Sequence, residues 1–463
     1  MSTDAPDASP RPAPRGHPLI AWTVILLAVA GLFVLQLEFH PAAEGEQFDA
    51  FEIQARWLVG AASFGPQTPE VYSRQVKDLD RGSVGQRLRF VVLAGELAGP
   101  TEALARLEEL QGLEGHGAVA HNNEDTATGE ILNWLYHDYE VDALSAPSLS
   151  EADRQQLHRQ LGWFGDLALN PRDGPDAAAR AAVLAPAQRL IIAFVGLFLA
   201  ALFAAAIGFT LLVLFVVLWR HMRSRFTTGS LYGGIYAETF ALWLLLCFTL
   251  GWLIRRLAPG LSLPQTGLLV QFGGLIALGW PVFRGVAWRQ VSQDIGWRAG
   301  DQPIREPFYG VLCYLATLPI VMVLMLMVAL ILQFGPKWIA APTHPIVGEV
   351  LHGGWWAWIQ TFFVASIGAP LVEETMFRGV LYRHLREATA SRGRWRSVVI
   401  SALVAAFVFA ALHPQGLLGI PLLMALACGF TAAREWRGSL VPSMTVHALH
   451  NGIVTLMLIL AAG

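Results

Sequence analysis

Runs of about twenty apolar residues recur along this 463-residue chain, and no other feature limits its fold so strongly. A helix of that length crosses ~30 Å of hydrocarbon with its backbone groups satisfied internally. The runs fall at about 18–39, 190–219, 232–254, 264–283, 308–334, 355–372, 397–413, 417–433 and 440–460. They predict an all-α, polytopic transmembrane bundle of about eight to ten spans. The stretch 190–219 exceeds one bilayer thickness, so it is expected to tilt or protrude. The first run follows Arg11 and Arg15 but ends in Leu37-Glu38-Phe39-His40, with no small-residue cleavage site. It reads as a retained anchor, 18–39, behind a short tail, 1–17.

Charged residues make up only 14% of the chain, against about 25% in soluble domains. Their placement is uneven. Residues 41–188 hold 23 acids and 11 bases, a balance of -12, while the rest carries +9. The sequence therefore predicts an acidic, helical, extramembrane domain at 41–188 after the first span, with membrane helices at 190–334 and 355–460. Within the acidic part, Thr101–Leu113 and Leu149–Leu169 show apolar residues at helical spacing. Asp173-Gly174-Pro175 and Ala185-Pro186 are expected to punctuate the return to the membrane. His116, His121, His137 and His158 have no ligand spacing, and nothing in the segment marks its role. Cys247, Cys313 and Cys428 sit in apolar runs without a CxxC and read as small core residues. With a net charge of -3 and no basic domain, nucleic acid is excluded as a partner. The lipid bilayer is the expected surrounding.

Arginines collect after alternate runs: Arg220, Arg223 and Arg225; Arg284, Arg289, Arg298 and Arg305; Arg383, Arg386, Arg392, Arg394 and Arg396; Arg434 and Arg437. The positive-inside rule makes these loops cytoplasmic, which puts the N-terminus inside and residues 41–188 outside. Arg255 and Arg256 run against that pattern. A composition rich in Arg, with Lys only at 77 and 337, is compatible with a bacterial inner membrane.

An ionisable side chain inside a span costs roughly 2.5–3.5 kcal/mol on insertion scales, so each one needs a reason. Few are present: Glu238, Glu373, Glu374, His413, His447 and His450, with Asn451 beside them. Glu238 lies near the start of its run and reads as structural. The C-terminal residues form faces. Glu374 and Arg378, four apart, can pair on one side of a helix. Glu373 is rotated by about 100° and left to point elsewhere. His447 and Asn451 also share a face, and His413 follows Phe409 by four before Pro414 ends the helix.

In order along successive runs, Glu373-Glu374…Arg378 is an EExxxR, Phe409…His413 an FxxxH, and His447…Asn451 an HxxxN. This set resembles the three motifs of the CPBP (or Abi) intramembrane protease family, which includes the CAAX prenyl endopeptidases. The resemblance covers about residues 355–455 and leaves 41–188 outside. It implies a membrane endopeptidase acting on membrane proteins or lipidated peptides. In a bacterium it suggests protein processing or bacteriocin self-immunity.

Peptide hydrolysis needs an activated water, a stabilised oxyanion and a proton for the leaving amine. A carboxylate in apolar surroundings is a stronger base, which makes Glu373 the candidate base. His413 would position the water and shuttle the proton, while His447 and Asn451 would donate to the oxyanion. Glu374 and Arg378 would lock the helix that carries Glu373. The resemblance implies the same division of labour. Zinc held by Glu373, His413 and His447 is the alternative use of these atoms, although no HExxH is present, and the expected mechanism requires no metal. Pro370 is expected to start a helix, Pro370–Glu387, that returns through Ser397–His413 and sets Glu373 level with His413. A transporter with a Glu/His proton relay, drawing on Glu238, and a non-catalytic scaffold are the rival classes. Against the transporter, no matching motifs occur in the first half of the chain.

Overall fold

Every regular element among the described residues is a helix, as the periodicities predict. The computed structural model describes residues 16–38, 44–65, 76, 79–80, 82–114, 123–218, 224–228, 232–335, 347, 349–350 and 353–462. Arg11, Arg15, His40, His116, His121, Arg220, Arg223, Lys77 and Lys337 lie outside them. The chain divides into two compact units, Met1–His40 with Leu199–Leu456 and Pro41–Phe198 with Met457–Gly463.

Helix α1 (Pro18–Glu38) opens the first unit, and α2 (Glu44–Ser63) opens the second. There α3 (Val84–Ala98), α4 (Pro100–Glu114), α5 (Asn123–Glu140), α6 (Glu151–Leu161) and α7 (Trp163–Leu169) come next in the chain. Their apolar faces bury Leu88, Leu93, Leu132, Leu135 and Leu157, with Phe51 stacked on Phe164 at 5.5 Å. Leu149–Leu169 is two helices where the sequence predicts one. Gly162, at φ +56°, breaks it, a conformation that side-chain-bearing residues avoid. Ser150 begins α6 with a capping box: its Oγ accepts from Asp153 N, and the Asp153 carboxylate accepts from Ser150 N at 2.9 Å. His137 is exposed beside Glu140, and His158 Nδ1 meets Asp166 at 2.7 Å, so both histidines belong to the surface.

Helix α8 (Ala177–Leu218) runs 42 residues, about 63 Å at 1.5 Å per residue. It passes through Pro186, where the sequence predicts a break. The alanines and leucines on either side are strong helix formers, and only one rung is lost. Among the described residues, eight helices are long and apolar enough to cross a membrane, and a shorter apolar stretch, Pro18–Val34, adds a ninth candidate. These are α8, α9 (Gly233–Leu257), α10 (Leu263–Phe283), the helix ending at Phe334, α13 (Trp355–Ala388), α14 (Arg394–Ala411), α15 (Gly416–Arg437) and α16 (Val441–Ala462). Short α11 (Trp288–Ile295) precedes α12 (Glu306–Phe334), the main part of the span that ends there. In α1, Trp22 Nε1 donates to His384 Nε2 at 2.8 Å, and Ile25 is fully buried, which makes this helix part of the bundle.

Two expectations need correction here. Pro370 does not start a helix: α13 is helical from Trp355 to Ala388 and carries the proline in its interior. Wide turns of the helix accommodate it. Several arginines counted as loop charges are also part of the fold. Arg383 pairs with Asp294 at 3.1 Å and with Glu387 at 2.5 Å, Arg386 with Glu435 at 3.2 Å, and Arg437 with Glu306 at 2.8 Å. Buried guanidinium groups persist only with such partners.

Candidate active site

Helix α13 brings the EExxxR residues into the bundle. Val364–Gly368 and Glu374–Leu381 are π-helical, with Ala369 N–H reaching five residues back to Val364 O. Glu374 is fully buried and Arg378 almost so. Arg378 Nη1 donates to Glu374 Oε1 at 3.0 Å, the pairing that the i, i+4 spacing predicts. Its guanidinium also lies over Phe409 at 4.6 Å and Phe430 at 4.8 Å, while Nη2 reaches Ala427 O at 3.3 Å. Aromatic faces and a carboxylate together compensate a cation that has lost its water.

The histidines arrive from two other helices. His413 stands just beyond the last residue of α14, and its Nδ1 bonds to Phe409 O at 2.6 Å. That carbonyl can only accept, so Nδ1 carries the proton and Nε2 is turned the other way. Nε2 lies 3.7 Å from Glu373 Oε2. His447 of α16 donates from Nδ1 to Glu374 Oε1 at 2.9 Å, and Phe430 stacks on its ring at 4.8 Å. Its Nε2 lies 3.8 Å from the same Glu373 Oε2. That oxygen is buried and has no hydrogen-bond partner. Asn451, one turn on from His447, donates from Nδ2 to Ala365 O at 2.9 Å.

Glu373 and both histidines thus meet at one carboxylate oxygen, although they come from three helices, while Asn451, one turn on from His447, bonds to the Ala365 carbonyl of α13. Phe430 and the Ala365 carbonyl were not foreseen: one is an apolar residue in an apolar run, the other a backbone atom. Glu238 lies elsewhere. It accepts from Trp280 Nε1 at 2.8 Å and Arg284 Nη1 at 2.6 Å, and that partnership explains it structurally. Cys247, Cys313 and Cys428 are free thiols, in keeping with their expected place as small core residues.

Zinc ligands in a tetrahedral site stand about 3.4 Å from one another. The 3.7 and 3.8 Å separations are wider, and among the described residues no group of three His, Cys, Asp or Glu is arranged to hold a metal ion.

No curated protein and no solved structure matches the chain. Residues 354–453, which supply all of α13 to α15 and the motif-bearing part of α16, match the family model described as Type II CAAX prenyl endopeptidase Rce1-like, and the resemblance carried by the three motifs holds over that segment.

Proposed function

We propose that the protein is an intramembrane endopeptidase that hydrolyses peptide bonds of membrane-associated or lipidated proteins, with Glu373 as the base. The observation that carries this is the convergence of His413 Nε2 and His447 Nε2 within 4 Å of a Glu373 oxygen that has no other partner. Separations of 3.7 and 3.8 Å are too long for direct hydrogen bonds and leave each group able to bond a water placed to one side of the line between them. Glu373 Oε2 takes a proton from that water as its oxygen attacks the scissile carbonyl, and His413 Nε2 orients it. The oxyanion is received by His447 Nε2–H when the ring is protonated, with Glu374 as its counter-charge, and by the second N–H of Asn451. Collapse of the intermediate breaks the C–N bond, and the proton held by Glu373 passes to the leaving amine. Glu374 and Arg378 hold His447 and the α13 helix in place.

The test uses purified protein in lipid vesicles with a membrane-anchored peptide, cleavage being read by mass spectrometry. Wild type should cut. Glu373→Gln keeps shape and hydrogen bonding but removes the base, so cleavage should collapse while the protein stays folded. Full activity in that variant defeats the proposal.

A further inference from the structure

A proline inside a membrane helix leaves one carbonyl without its donor, and in hydrocarbon no water replaces it. In α13 the rung before Pro370 spans five residues, from Ala369 N–H to Val364 O. The next rung of that ladder would join residue 370 to Ala365 O, and Pro370 has no N–H to give. Asn451 supplies the donor from α16, with Nδ2 standing 2.9 Å from Ala365 O. A side chain of one helix occupies the missing rung of another.

The wide turn matters three residues further on. One extra residue in a turn rotates the rest of the helix by about 100° relative to an uninterrupted α-helix. That is the same angle that separates Glu373 from Glu374. Closing the turn would move α13 by one side-chain position on the face that meets α14 and α16, and this face now sets Glu373 Oε2 3.7 and 3.8 Å from the two histidines.

We propose that Pro370, Ala365 and Asn451 form a positioning lock. The proline frees the carbonyl, the asparagine holds it, and the wide turn so retained aims Glu373 at His413 and His447. The lock rests on the hydrolytic reading of Glu373 and gives Asn451 a positioning role beside its substrate contact. It uses one N–H of the Asn451 amide and leaves the other for substrate.

Four proteins test it: wild type, Asn451→Ala, Pro370→Ala and the double variant, each in detergent and in vesicles. Pro370→Ala restores an N–H at the missing rung, so it should replace the lock but not the substrate contact of Asn451. Asn451→Ala should lower the thermal unfolding midpoint and kcat with little change in KM. In the double variant the midpoint should return to that of Pro370→Ala alone, and kcat should recover by about tenfold while staying below wild type. Additive losses in midpoint overturn the lock. Recovery of the midpoint without kcat means stabilisation alone and overturns the positioning role. The midpoint needs no substrate, so the lock is tested even if no peptide is cut. Absence of cleavage by wild type counts against the hydrolytic reading only.

Discussion

At the scale of single residues, the candidate site was legible because ionisable groups stand out against apolar sequence. Glu373, His413, His447 and Arg378 each had to be explained by a partner, and each has one or faces one. Phe430 gave no such signal, although it covers both His447 and Arg378. The Glu374–Arg378 pair is buried on both sides, so removing one partner strands the other. Glu374→Ala should destabilise the fold by about 3–5 kcal/mol, measured by denaturant unfolding in detergent. Loss of one oxyanion donor slows catalysis on the order of 10²–10³-fold. Asn451→Ala should therefore retain measurable cleavage where Glu373→Gln has none. Dialysis against a chelator should leave the rate unchanged; loss on stripping and return with zinc would make His413 and His447 ligands.

Among the elements, length and apolar content placed the spans, whereas prolines misled about where helices begin. Pro186 and Pro370 both read as boundaries, and both lie inside helices. Sequence cannot show that a neighbouring helix will satisfy the carbonyl a proline releases, which is what Asn451 does for α13. Ser150 and Ser262 each begin a helix with a capping partner three positions on. Ser150→Ala should cost α6 about 1 kcal/mol, read as faster amide exchange confined to that helix. Hydrogen bonds from the Ser150 hydroxyl and backbone N–H hold the Asp153 carboxyl below the usual carboxylate range. A folded-state pKa below the unfolded one contributes stability above that range and loses it on acidification. Protection of α6 should therefore weaken as the pH falls below about 4, and the Ser150→Ala variant should show less of that dependence.

On the scale of the whole molecule, the polytopic helical character was plain from the sequence, but the sidedness rests on arginine placement. Arg383, Arg386 and Arg437 serve buried ion pairs as well, which leaves the other eleven of the fourteen arginines that follow alternate runs to carry the proposed cytoplasmic bias. With the N-terminus inside, protease added to intact spheroplasts should cleave within residues 41–188, and inverted vesicles should protect them. The reverse result would invert the topology. The far end of α13 is pinned on several sides: Arg383 to Asp294 and to Thr227 O, Arg386 to Glu435. On the proposed hydrolytic reading, a helix pinned in this way would act as an anvil, and the client would do the moving. A client that spans the bilayer as a helix has its carbonyls engaged four residues along, out of reach of attack. Cleavage would then be governed by how readily the client unravels at the anvil, so a glycine or proline placed near the scissile bond should speed cutting, while an alanine run should slow it.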